Sequence, residues 1–143
     1  MIPVDQTRFG GGSPGGNCLM ACVASIMGRS IAECIEVNTD DPHYWEQLQK
    51  WLIAQGWQIR YRPRLQDVPS AYGIANGPGP RGLLHSCVAL DGEIVHDPHP
   101  SRAGLLEITS WHEVTRITPI PPAPGSPEAR EQQANERLEV VKW

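Results

Sequence analysis

Cys18, His85 and Asp97 are residue types that together perform nucleophilic acyl chemistry, and they occur in this chain in that order. Cys18 stands where the segment Gly10-Gly11-Gly12-Ser13-Pro14-Gly15-Gly16 meets the apolar run Cys-Leu-Met-Ala-Cys-Val-Ala-Ser-Ile-Met. The glycine-rich segment cannot form regular structure, whereas the apolar run suits a buried helix that stops at Gly28. A cysteine on the first turn of that helix faces unpaired backbone N–H groups and the positive end of the helix dipole. Both favour the thiolate, which is the nucleophilic form. Cys22, one turn deeper, lacks that setting and reads as core. Taken alone, Cys18 fits a buried structural cysteine better, so its reading as a nucleophile depends on a base.

The base would come from a hairpin. Leu83 to Leu90 and Glu93 to His96 read as strands joined across Asp91-Gly92. A two-residue turn would set residue 86 opposite residue 97, with His85 and Asp97 on opposite faces of the sheet. A three-residue loop, Leu90-Asp91-Gly92 with Gly92 left-handed, sets 85 opposite 97. Opposed Cβ atoms lie about 5 Å apart, close enough for a carboxylate to fix an imidazole in one tautomer. The three-residue loop is therefore the expectation. His96 should point away from Asp97, and His99 follows a proline in a loop, so both read as surface or supporting residues. Cys18, Cys22, Cys34 and Cys87 with His85, His96 and His99 supply zinc-ligand types, but no Cys-x-x-Cys pair is present. Neither a metal nor an organic cofactor is expected.

The elements that must position these groups follow from periodicity and punctuation. A helix is predicted over Cys18–Met27, and a short second one from the capping box Ser30-Ile31-Ala32-Glu33 through about Glu36. A third opens at Asp41-Pro42, carries Tyr44, Trp45, Leu48, Trp51 and Leu52 at helical spacing, and ends at Gly56. Strands are predicted over Trp57 to Tyr61, Tyr72 to Ala75 ahead of a break at Asn76-Gly77-Pro78-Gly79-Pro80, the two hairpin strands, and at least one more within 106–120. Helices followed by an antiparallel sheet define an α+β class. One domain over 1–118 is expected, then a Pro-rich linker over 119–125 and a polar helical tail over 126–143 that reads as solvated. The 143 residues carry a net charge of −4 and are 40% hydrophobic, which fits one soluble domain and gives no electrostatic footprint for nucleic acid or membrane. Arg60, Arg62 and Arg64 read as a solvated strand face. No apolar run is long enough to span a membrane and the N-terminus lacks a signal-peptide layout, so the chain reads as cytoplasmic with reduced cysteines.

Gly16-Asn17-Cys18-Leu19-Met20-Ala21-Cys22, then His85-Ser86-Cys87-Val88-Ala89-Leu90, a Gly-Glu-Ile-Val strand and Asp97-Pro98 resemble the C39-like branch of the papain-like cysteine peptidases. The stretch His96-Asp97-Pro98-His99-Pro100-Ser101-Arg102-Ala103-Gly104-Leu105 is also similar to short proteins of phages and bacteria. The resemblance covers roughly residues 4 to 118. It implies a papain-like fold, Cys18 as nucleophile, His85 as general base, Asp97 as its orienter, and a peptide or protein substrate. It also implies an oxyanion-hole glutamine, for which Gln6 is the one upstream of Cys18, though further upstream than the family places it; Asn17 is the alternative donor. Where the family has Asp-Cys-Gly this chain has Asn-Cys-Leu, which leaves substrate class open. Trp111, with His99, is expected to line the substrate cleft, while Tyr44, Trp45 and Trp51 read as core. The competing expectations are an acyltransferase or deamidase on the same thioester chemistry, or a non-catalytic accessory binding module with the same fold.

Overall fold

A computed structural model describes residues 1–10 and 16–117. The predicted linker over 119–125 and tail over 126–143 lie outside the described residues. Helix α1 spans Cys18–Met27 and buries Leu19 through Ile26. It ends at Gly28, whose φ of 73° is the left-handed value glycine adopts without a steric cost. The Ser30/Glu33 capping box forms but supports only a single 3-10 turn, Ile31–Glu33. Beyond it the backbone turns extended at Cys34, and Cys34 and Val37 both enter the core. Helix α2 spans Tyr44–Ala54, two residues later than Pro42 predicts. The Asp41 carboxylate accepts the His43 N–H at 2.8 Å, an Asx-type turn that occupies those residues. Among the described residues no helix is long and apolar enough to cross a membrane.

Five strands follow: β1 Trp57–Arg62, β2 Tyr72–Pro78, β3 Leu84–Leu90, β4 Glu93–His96 and β5 Ser110–Arg116. They form one antiparallel sheet in the order β1-β5-β2-β3-β4, and the class is α+β. Ile59, Ile74, Val88 and Val114 pack with α1 and α2 in the main core; Ala75, Ala89 and Trp111 form a smaller cluster with Leu105 and Ile108. Strand β2 runs through Asn76-Gly77-Pro78, where a break is predicted. The segment before β5 crosses it there, with the Leu106 N–H on the Pro78 carbonyl and the Thr109 N–H on the Asn76 carbonyl, each at 2.8 Å. A Cβ at Gly77 would sit 1.9 Å from the Glu107 carbonyl oxygen, so the close approach requires glycine.

The hairpin corrects the expected three-residue loop. Leu90 pairs with Glu93, and Asp91 and Gly92 have φ of 49° and 85°, a two-residue turn of type I′. A regular ladder from that turn would place Asp97 on the wrong face. Instead Ala89 pairs with Ile94 while Val88 pairs with His96, leaving Val95 as the extra residue of a β-bulge. Continued beyond the ladder, the shifted register sets residue 97 across from residue 87, on the face His85 shares. The N-terminal arm is also more ordered than its glycine tether suggests. The Ile2 N–H bonds the Ser25 carbonyl and the Gln6 N–H the Pro98 carbonyl, each at 3.0 Å.

Candidate active site

Cys18 is the first residue of α1 and is half-buried. The helix start leaves its N–H without an intrahelical carbonyl. His85, near the start of β3, and Asp97, just past β4, are both buried, and the His85 Nε2–H donates to Asp97 Oδ1 at 2.7 Å. The carboxylate also accepts the His99 N–H on Oδ1 at 2.9 Å and the Gly104 N–H on Oδ2 at 2.7 Å. Burial alone would raise the Asp97 pKa, but those three donors outweigh it and hold it below the usual value. For His85, burial works against the charged ring, while the thiols of Cys18 and Cys87 and the Asp97 carboxylate favour it; the net result is a pKa pushed up to about 10. With Nε2 committed to Asp97, Nδ1 is the ring nitrogen left for proton exchange with a nucleophile.

Cys87, which the sequence offers only as a reduced thiol and a zinc-ligand type, is a further neighbour of this pair. It lies two residues along β3 from His85, hence on the same face, and is fully buried. Burial raises its pKa, against a smaller opposing effect of His85, so it stays a thiol. Donor atoms of His85, Cys87 and Asp97 lie within 4.8 Å of one another, a set of metal-ligand types. His85 and Asp97 are already bonded to each other, and Asp97 accepts two backbone N–H groups besides, so a cation would have to displace this network.

A cavity of about 1180 Å³ opens beside Cys18 and His85, and Gln6 and His99 line it. Gln6 is 7% exposed. Its Nε2 donates to the Arg8 carbonyl at 2.9 Å, which leaves one amide N–H over, and among the described residues its buried Oε1 has no partner. Asn17 is not among the residues that line this cavity. Its Oδ1 accepts the Thr7 and Arg8 N–H groups at 3.0 and 2.8 Å, and its Nδ2 donates to Thr7 Oγ1 at 2.9 Å, so the amide staples the arm to the start of α1. His99 packs edge-on against His85 and Phe9, with ring centroids 6.3 and 5.3 Å away. His96 donates from Nε2 to the Val4 carbonyl at 2.8 Å and serves the arm.

Trp111 does not line the cleft. It is 2% exposed within the smaller core cluster, and its indole N–H donates to the Leu65 carbonyl at 2.9 Å. Strand parity accounts for this: Trp111 pairs with Ala75, whereas its neighbour His112 pairs with Ile74 and reaches the cavity. Trp45 and Tyr61 line that cavity as well, and Trp45 also packs on the core as its helical spacing implies. Alternation along β5 could have identified His112 had the phase of the strand been known. Comparison with known protein families, curated proteins and solved structures gives no match for this chain.

Proposed function

We propose that this protein is a papain-like cysteine peptidase that cleaves a peptide or isopeptide bond through a thioester acyl-enzyme. The observation that carries the reading is the buried His85, bonded to Asp97 on one nitrogen and held in its charged form by the neighbouring thiols and that carboxylate. An imidazolium beside Cys18 favours the thiolate, as the α1 N-terminus does. The thiolate adds to the scissile carbonyl, and the oxyanion is met by the Cys18 N–H and the free N–H of Gln6. His85 gives its proton to the departing amine. It then takes a proton from water as that water attacks the thioester, releasing the acid and restoring the thiolate–imidazolium pair. Asp97 keeps the ring oriented through both transfers.

The test uses iodoacetamide labelling read by mass spectrometry and turnover of a quenched-fluorescent peptide library. Cys18 should label faster than Cys22, Cys34 and Cys87, and His85→Ala should slow that labelling more than tenfold. Cys18→Ala should abolish turnover while leaving the fold intact. Turnover that survives in Cys18→Ala would end the proposal.

A further inference from the structure

On the face of the sheet that carries Ile74 and Val88, three polar side chains form a cross-strand row: Ser86 on β3 opposes Asn76 on β2, which opposes Ser110 on β5. His112 lies one step along, opposite Ile74 and Tyr61. Helices α1 and α2 cover Ile74 and Val88, but the polar row and His112 line the cavity that holds Cys18 and His85.

The row has a fixed hydrogen-bond polarity. Ser86 Oγ–H donates to Asn76 Oδ1 at 2.8 Å. Asn76 Nδ2 reaches Ser110 Oγ at 3.3 Å and His112 Nδ1 at 2.8 Å. An amide nitrogen only donates, so His112 Nδ1 accepts and the ring proton sits on Nε2. Burial pushes the His112 pKa down to about 4, so the ring is neutral at physiological pH. Among the described residues its Nε2–H has no acceptor, and it is not an enclosed orphan. Trp45 and Tyr61 flank the ring, with centroids 5.5 and 5.2 Å away. The subsite therefore offers an uncharged donor at His112, a second at the Ser110 hydroxyl, lone pairs on Ser86 Oγ, and aromatic walls.

We infer that this row and His112 form a specificity subsite for a substrate residue with a neutral carboxamide side chain, glutamine or asparagine, close to the scissile bond; the inference rests on the peptidase reading above. A carboxamide pairs its oxygen with the His112 and Ser110 donors and its N–H with Ser86, and its flat face stacks between the rings. A carboxylate has no N–H for Ser86 and finds no cation in the row, and an aliphatic side chain leaves the donors unpaired.

Binding is measured on the Cys18→Ala protein by its tryptophan fluorescence, with a hexapeptide-amide library scanned at each position for Gln, Asn, Leu and Glu. One position should favour Gln or Asn over both Leu and Glu by about tenfold, the weight of a well-made hydrogen bond or two. His112→Phe, which keeps the aromatic stack, should reduce that preference below about threefold without changing selectivity at other positions. Ser86→Ala should lower it about threefold by a route that leaves His112 in place. Absence of any carboxamide-selective position, or a preference that survives both substitutions, overturns the inference. Because this readout needs no nucleophile, failure of the wild-type protein to turn over the same peptides counts against the peptidase reading alone.

Discussion

Replacing Asp97 with Asn is the perturbation whose consequences the structure specifies most fully. Three donors converge on the carboxylate at 2.7, 2.9 and 2.7 Å, from His85 Nε2, the His99 N–H and the Gly104 N–H. An asparagine has one acceptor atom, so either orientation points an NH2 group at a donor. With Nδ2 in the Oδ2 place it opposes the Gly104 N–H; in the Oδ1 place it opposes the His99 N–H and His85. Removing one member of a buried, hydrogen-bonded charge pair costs about 3–5 kcal/mol, and near isosterism argues for the lower end. A loss of about 3 kcal/mol corresponds to a melting temperature lower by roughly 10–15 °C in a domain of this size. The pH dependence should change with it. The folded state raises the His85 pKa from 6.5 to about 10, so its stabilising contribution is complete below pH 6.5 and fades as pH rises toward 10. That of Asp97, whose pKa is lowered from 3.8, is complete above pH 3.8 and fades below it. Wild-type protein should therefore gain most from the pair on a plateau between about pH 4 and 6.5, and Asp97→Asn should lower that plateau and flatten the fall on either side of it. Thermal melts across pH 3–10, with Cys18 labelling at each pH, measure both effects. An unchanged melting temperature with an unchanged labelling profile would refute the role assigned to Asp97; turnover should fall less than in Cys18→Ala.

Other substitutions separate positioning from packing. Gln6→Ala should lower kcat about a hundredfold with Cys18 labelling unchanged, because a removed oxyanion donor acts after the nucleophile forms; single-turnover kinetics on a peptide ester would show this. Asn17→Ala removes three hydrogen bonds that seat the arm and should cost about 2–3 kcal/mol in urea unfolding, while exposing residues 1–10 to limited proteolysis. Gly77→Ala places a Cβ 1.9 Å from the Glu107 carbonyl, so it should destabilise by several kcal/mol or prevent soluble expression, read from urea melts and yield.

Where a signal was local, the sequence carried it. The bounds of α1 match their prediction because an all-apolar run between a glycine-rich loop and a C-cap glycine has few alternatives. Strands β1, β3 and β4 fall within one residue of their expected spans for the same reason, since punctuation brackets each one. What could not be read was parity. Asp91-Gly92 is a strong two-residue turn signal, and it forms, but nothing in Glu93-Ile94-Val95-His96 announces a bulge, because the cause lies in which face each neighbour must bury. The same ignorance of phase put Trp111 in the cleft and left His112 out. Likewise Asn17 looks available in sequence, and only the return path of residues 7 and 8 shows its amide oxygen engaged with the arm, away from the cavity.

That return path joins the halves of the candidate site. Cys18 begins α1, whereas His85 stands on β3 and Asp97 just past β4, so core packing alone fixes their separation only as well as a helix can slide on a sheet. The arm bonds to both. Asn17 seats Thr7 and Arg8 beside Cys18, while the Gln6 N–H holds the Pro98 carbonyl next to Asp97, and His96 Nε2 holds the Val4 carbonyl. Arg102 adds a pair with Asp5 at 2.9 Å, but both are about half exposed, so that contact contributes orientation rather than stability. One short segment thus presents Gln6 to the cavity and ties the start of α1 to the Asp97 loop. On the proposed mechanism, an oxyanion donor delivered from it would stand in register with Cys18 and with Asp97, because the same set of bonds fixes both distances.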